Sequence, residues 1–215
     1  MSAADSPLWM DRWRRIARRI RVPLGFLSAG FYLWRLWVAA PQVQPILWSL
    51  ILVLPGLWLR GYAAGYVKKN QELTQTGPYA YTRNPLYLGS MMIAAGFAVA
   101  LLSWVFAVIL LLGFALIYVP VIHGEEAFLR SAFAGFDDYC HRVPRLIPRL
   151  IPRLIPPSLP LRNPAQSPEQ TSASDPGSFA FALYRRHREY RSALGVVLLY
   201  ASLIAAYLLH RHWPR

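Results

Sequence analysis

The sequence predicts an all-α integral membrane protein: a four-helix transmembrane core containing a helical hairpin, plus a separate C-terminal transmembrane helix. Three observations predict it. Of 215 residues, 55% are apolar and only 15% charged, where soluble domains carry about a quarter charged. That is more apolar surface than a core of this size can hide. The apolar residues also fall into runs long enough to cross a bilayer. Arginines flank these runs and supply nearly all of the net charge of +13. Anionic lipid headgroups, not nucleic acid, are therefore the expected polyanion.

In chain order, residues 9–21 (WMDRWRRIARRIR) place Trp9, Trp13, Ile16 and Ile20 at helical spacing, with arginines on the other face. This reads as a basic amphipathic helix in the headgroup layer or, equally, as a positively charged flank. Val22 to Ala40 is a first span, with Arg35 near its end between Trp34 and Trp37, where it can snorkel to the interface. The run is long for a signal peptide and ends in a poor cleavage site, so a retained helix is expected. A short turn between two prolines leads to a second span, Ile46 to about Tyr62, with Arg60 near its end.

From residue 86 to residue 122 no residue is charged. As one helix that run would be about 55 Å long at ~1.5 Å per residue, against a hydrocarbon core of about 30 Å. It must fold back, and a tight turn is expected near Ser103-Trp104. Gly89, Gly96 and Gly113 would let the two spans approach closely. Residues 124–143 are polar and look helical. A tetrapeptide then repeats three times as PRLIPRLIPRLIPP, residues 144–157, and proline at that spacing forbids a regular helix. Residues 158–178, rich in Pro, Ser, Asn and Gln, are expected to be disordered. The last span, Ala193 to Leu209, follows Arg185, Arg186, Arg188 and Arg191. Basic residues alternate with charge-free turns along the chain. The N-terminus, the loop at 63–84 and the region 123–190 are thus assigned to the cytoplasm.

That topology puts two polar segments on one face, at the two feet of the hairpin. The first is "TGPYAYTRNPLYLGSMM", Thr76 to Met92. Gly77-Pro78 makes a turn. Asn84 before Pro85 is a strong helix start, with Asn as N-cap and Pro at the first helical position. The same start offers the N–H groups of Leu86 and Tyr87 and the positive end of a helix dipole to an anion. Tyr79, Tyr81 and Tyr87 are either interface aromatics or ring faces for a cation. The second foot, Ile122 to Phe133, carries Glu125 and Glu126. These are either solvated or a carboxylate pair able to hold an ammonium group. Cys140, the single cysteine, excludes an internal disulfide and a Cys-based zinc cluster. It leaves a thiol nucleophile open, and no metal is expected.

"GPYAYTRNPLYLG" followed by "EEAFL" and "FDDYCHRVPRLIP" resembles the isoprenylcysteine carboxyl methyltransferase family, which is related to the phospholipid N-methyltransferases. The resemblance runs from about Gln71 to Pro148. It implies an integral membrane enzyme that uses S-adenosylmethionine. By the same resemblance, cofactor contacts come from Gln71, Glu72, Leu73 and Thr74, from the turn tyrosine Tyr79, from Asn84, Pro85, Leu86 and Tyr87 of the Arg-His-Pro-x-Tyr motif, and from Glu125. Arg83 and Glu126 are the residues expected to orient an acceptor. Three positions depart from the family pattern. Asn84 replaces the usual histidine, which excludes histidine acid–base chemistry there. Val121 stands where prenylcysteine enzymes carry a substrate-contacting arginine. Phe133-Ala134-Gly135 replaces Phe-Gly.

The chain accordingly divides into a basic amphipathic N-terminal helix (1–21), a transmembrane methyltransferase-like domain (22–148), a Pro-rich disordered linker (149–190) and a C-terminal transmembrane anchor (191–215). The expected partners are membrane lipids and an amphiphilic acceptor, with no nucleic acid. The expected place is a bacterial inner membrane, multi-pass, with the site facing the cytoplasm. Two alternatives stay open at this point: an NADPH-dependent enzyme resembling the sterol reductases, and a non-enzymatic membrane protein whose site has decayed.

Overall fold

The computed structural model describes residues 8–67, 73–133, 135–148 and 179–212, with side chains from residue 23 onward. Among them are seven α-helices, one 3₁₀ turn and no strand. The helices are α1 (Leu8–Val38), α2 (Val43–Tyr66), α3 (Pro85–Ala100), α4 (Trp104–Ala132), α5 (Phe136–Arg142), α6 (Phe181–Arg186) and α7 (Tyr190–His212), and the 3₁₀ turn is Gly77–Ala80. Three of them, α2, α4 and α7, are long and apolar enough to cross a membrane, and α3 is a shorter apolar helix. Trp34, Trp37, Trp48, Trp58 and Leu209 are exposed on the outward faces, as lipid-facing surfaces require.

The uncharged run breaks where its length demands. Leu101 to Ser103 separate α3 from α4, Leu102 adopts a left-handed φ of 47°, and the Ser103 hydroxyl accepts the Phe106 N–H at 3.2 Å. That serine is the N-cap of α4. The α4 helix then runs past the apolar limit through Glu125 and Glu126, so the second foot is an extension of the span and not a new helix. Likewise α1 passes unbroken from the basic segment through Pro23 into the stretch expected as the first span, where two elements were expected. Residues 1–7 lie outside the described residues.

The glycines do admit close approach, but not between the hairpin's own arms. A Cβ on Gly89 would lie 2.7 Å from the Gly56 carbonyl, and one on Gly96 would lie 2.4 Å from Val53 Cγ2 and 3.0 Å from the Ser49 carbonyl. The stripe on α3 therefore packs against α2, and Gly113 faces Leu24 of α1. Two pairs, α2 with α3 and α1 with α4, carry most of the packing. Their shared core gathers Tyr32, Ile46, Val53, Phe97, Leu101 and Phe106.

The C-terminal helix, distant along the chain, docks on this core. Leu203 is fully buried. The Tyr32 hydroxyl donates to the Leu199 carbonyl at 3.0 Å, and Ser49 and Tyr200 share a hydrogen bond of 2.6 Å. Most of the expected linker, 149–178, lies outside the described residues. Its last part is ordered, contrary to expectation. Ala180 N–H donates to the Gly65 carbonyl at 2.9 Å, Phe179 stacks on Tyr62, and α6 follows. Aromatic contacts with the end of α2 outweigh the polar composition here.

Candidate active site

The two feet meet at one end of the bundle. At the first, the 3₁₀ turn buries Tyr79, and the left-handed Gly77 (φ 58°) packs against the ring of Tyr66, 2.6 Å from where a Cβ would stand. At the second, α4 presents Glu125 and Glu126. The Tyr87 hydroxyl donates to Glu125 Oε1 at 2.9 Å, joining the feet near the solvent. Deeper in, Arg83 Nη1 lies 3.0 Å from Glu126 Oε1. Glu126 is 6% exposed, so this is a buried joint.

A third segment straps both feet. After α5 the chain leaves the helix through an extended Val143 and bends across the feet, and Pro144 O accepts the Arg83 N–H at 2.9 Å. The Arg145 carbonyl accepts Asn84 Nδ2 at 2.9 Å and the Thr82 hydroxyl at 3.3 Å. The Arg145 guanidinium grips Glu126 with Nε at 3.0 Å and Nη2 at 2.6 Å, and its Nη1 lies 3.3 Å from His123 Nε2. Glu126 thus sits between two guanidiniums. Beneath the strap a small core of Leu73, Phe133, Phe136, Tyr139 and Val143 fills the space, and the Tyr139 hydroxyl donates to the Tyr79 carbonyl at 2.7 Å.

The electrostatics follow from this packing. Burial raises the Tyr79 hydroxyl pKa well above its ordinary value, and the nearby charges of Glu125, Tyr87 and Glu189 raise it further. Burial also raises Tyr139, with Tyr79 adding to it and Arg83 opposing. Cys140 is raised by burial against the pull of Arg83, whose Nη1 donates to its sulfur at 2.7 Å. A neutral thiol held by a guanidinium is a poor nucleophile. Arg83 Nε is buried with no hydrogen-bond partner.

The structure brings Tyr79, Arg83, Asn84, Pro85, Leu86, Tyr87, Glu125 and Glu126 of the expected site together. Leu73 is buried beneath them, and the Thr74 hydroxyl reaches the Tyr66 carbonyl at 3.5 Å. Gln71 and Glu72 lie outside the described residues. Asn84 occupies the N-cap position before Pro85 but makes no side-chain cap. Its amide is spent on Arg145, because the strap brings a carbonyl to it. Sequence reasoning missed Arg145, Thr82 and Tyr139, and it read Arg60 only as a topology charge. The signals were Tyr139 and Arg145 inside the quoted "FDDYCHRVPRLIP", where a repeat hid the first copy's role.

In chemical terms, the cluster offers a carboxylate at Glu125, two tyrosine rings and the start of α3. That set fits a ligand carrying an ammonium, a carboxylate and a sulfonium. Comparison with known proteins places the chain in a family. Residues 46–135 match the phospholipid methyltransferase family. The nickel-cobalt-cadmium resistance protein NccN of Alcaligenes xylosoxydans xylosoxydans is 35% identical over 151 residues, 66% of this chain and 68% of that protein. The cobalt-zinc-cadmium resistance protein CzcN of Cupriavidus metallidurans is 36% identical over 108 residues, 47% of this chain and about half (49%) of that protein. No solved structure matches the chain significantly.

Proposed function

Because the chain belongs to the phospholipid methyltransferase family, within the isoprenylcysteine carboxyl methyltransferase-like membrane proteins, we propose that it methylates a lipid or lipid-like amphiphile using S-adenosylmethionine. The observation that carries this reading is the hydrogen bond from Tyr87 to Glu125 that joins the feet of α3 and α4, with Tyr79 buried in the turn of the first foot. In it, Glu125 receives the cofactor's ammonium group. The start of α3 faces its carboxylate, and the rings of Tyr79 and Tyr87 lie against positive charge. When bound, S-adenosylmethionine supplies a sulfonium methyl that passes in line to a nucleophilic atom of the acceptor, leaving S-adenosylhomocysteine.

The protein's part is to hold acceptor and methyl in line, which contributes up to about 7 kcal/mol in ideal cases. Arg83 and Glu126 serve it by fixing the distance between the two feet, beside the place where the acceptor's head enters. No histidine is needed for such a displacement, so Asn84 is compatible with it. By the names of its relatives, the setting proposed is resistance to heavy metals reached by altering a membrane component.

The test is S-adenosylhomocysteine binding to detergent-purified protein, with Glu125→Ala, Tyr87→Ala and an NADPH competitor. Both variants are expected to weaken binding about tenfold or more, the scale of one charge-assisted contact, and NADPH is expected not to compete. Equal binding by all three proteins would sink the assignment. Radiolabelled methyl transfer into a total membrane lipid extract then identifies the acceptor.

A further inference from the structure

Arg60, near the end of α2, ties together three helices that the sequence separates widely. Its Nη2 donates to Glu189 Oε1 at 2.9 Å and Oε2 at 3.0 Å, and its Nε to Oε2 at 3.2 Å. Nη2 also reaches Ser192 at 3.2 Å. On the other side Nη1 donates to the Leu86 carbonyl at 3.3 Å and to the Ser90 hydroxyl. The stem of Arg60 lies along α3, since a Cβ on Gly89 would come within 2.7 Å of its Cγ. Leu86 and Ser90 are one helical turn apart, so Arg60 pins the first turn of α3 from one side. Tyr87, about 100° further round that turn at 3.6 residues per turn, is pinned by Glu125 from another.

The carboxylate that holds Arg60 is placed at some cost. Arg188, immediately before it, adopts a left-handed φ of 55°, a conformation that disfavours residues with a Cβ. The surrounding contacts hold that turn. His187 Nε2 lies 3.1 Å from the Val67 carbonyl, Arg188 N–H donates to the Arg185 carbonyl at 3.0 Å, and Ala180 N–H fastens the segment to Gly65. The side chains of Arg60 and Glu189 are 20% and 12% exposed, well beyond the burial of a surface pair. Burial raises the Tyr79 hydroxyl pKa, and the charge of Glu189 adds to that shift after those of Glu125 and Tyr87.

We infer that Glu189 is a positioning residue of the cofactor site: it fixes the Arg60 guanidinium across the first turn of α3, and so sets where Tyr87 stands against Glu125. The C-terminal helix is then part of the enzyme's working framework and not an accessory anchor. This inference rests on the cofactor reading of Tyr79, Tyr87 and Glu125.

The experiment uses the full chain in detergent, reading S-adenosylhomocysteine affinity by calorimetry well below each protein's melting temperature. Glu189→Gln keeps the shape and removes the charge. It is expected to weaken affinity about five- to tenfold, in the range of residues that act through a neighbour. The exchanged double variant Arg60→Glu/Glu189→Arg restores an ion pair between α2 and the turn that leads into α7 but leaves the Leu86 carbonyl without its guanidinium. It is expected to recover melting temperature while affinity stays weak. Should it not fold, Glu189→Asp replaces it, keeping the charge but drawing the guanidinium away from Leu86, with weakened affinity expected at near-normal melting temperature. Unchanged affinity in Glu189→Gln overturns the inference. So does affinity that returns together with melting temperature in the exchanged variant, or normal affinity in Glu189→Asp, since a merely structural pair would behave that way. A wild-type protein that binds no S-adenosylhomocysteine overturns the cofactor reading and this inference with it, a result distinct from wild-type binding that the variants leave untouched.

Discussion

Replacing Glu126 with glutamine breaks the joint between the feet without changing its volume. The Glu126 side chain is 8% exposed and carries Arg83 at 3.0 Å and Arg145 at 2.6 Å. Glutamine removes the charge and turns one acceptor into an NH₂ that faces guanidinium donors. Arg145, 43% exposed, can turn to water, and pairs of that kind are worth about 0–1 kcal/mol. Arg83 cannot. Its side chain is 13% exposed, its Nε already lacks a partner, and the neutral Cys140 sulfur is a weak acceptor. Removing one partner of a buried pair costs about 3–5 kcal/mol, and the residual exposure of Arg83 lowers that to roughly 2–4 kcal/mol. For a chain of this length each kcal/mol moves the melting temperature by about 2–4 °C, so Glu126→Gln should lose about 5–15 °C. Arg145→Gln should lose no more than about 4 °C. The assay is thermal unfolding of the detergent-purified protein followed by tryptophan fluorescence. Equal losses for the two variants, or a larger one for Arg145→Gln, would refute the view that Arg83 is the trapped charge.

Four further outcomes rest on the same packing and burial. Gly96→Ala should destabilise by about 1–3 kcal/mol, the usual range for overpacking, because its Cβ would collide with the buried Val53 and with the Ser49 carbonyl. Gly195→Ala, with nothing within 4 Å of its Cβ, should be neutral or stabilise by up to about 1 kcal/mol, and paired thermal melts compare the two. Above about pH 10 the unfolded chain loses tyrosine protons that folded Tyr79 and Tyr139 keep. Stability should therefore fall with rising pH there, by about 1.4 kcal/mol per pH unit for each phenol. Tyr139→Phe should remove one of these two slopes and, at neutral pH, cost about 1 kcal/mol for the lost bond to the Tyr79 carbonyl. Denaturant titrations between about pH 9 and pH 11 measure both, and an unchanged slope counts against the assignment.

What the sequence revealed and what it hid divide along a physical line. Span length is a local property, so an uncharged run too long for one crossing had to turn, and it turns at Leu101–Ser103. Which helix meets which is not local. The spacing of Gly89 and Gly96 marks a face of α3 for close packing but carries no sign that α2 takes it. Asn84 shows the same limit, since propensity locates the helix start and the strap decides what the amide binds. Arg145 was concealed by repetition: three copies of PRLI look alike in sequence, and the arginine of the first, delivered by α5, reaches Glu126.

Arg60 and Glu189 were concealed by their surroundings. An arginine near the end of a span usually snorkels outward, whereas Arg60 turns along α3 to a carboxylate 129 residues away. There was a signal in the tail. Glu189 is a lone acid among Arg185, Arg186, Arg188 and Arg191, where repulsion between like charges gives any nearby acid a ready local partner. It binds none of the four among the bonds described and reaches Arg60 instead. A carboxylate that bypasses adjacent arginines for one on a distant helix is held by the fold, through the strained turn at Arg188 and the docking of Phe179 on Tyr62. That selectivity is why the pair belongs with the site it braces and not with the anchoring charges around it.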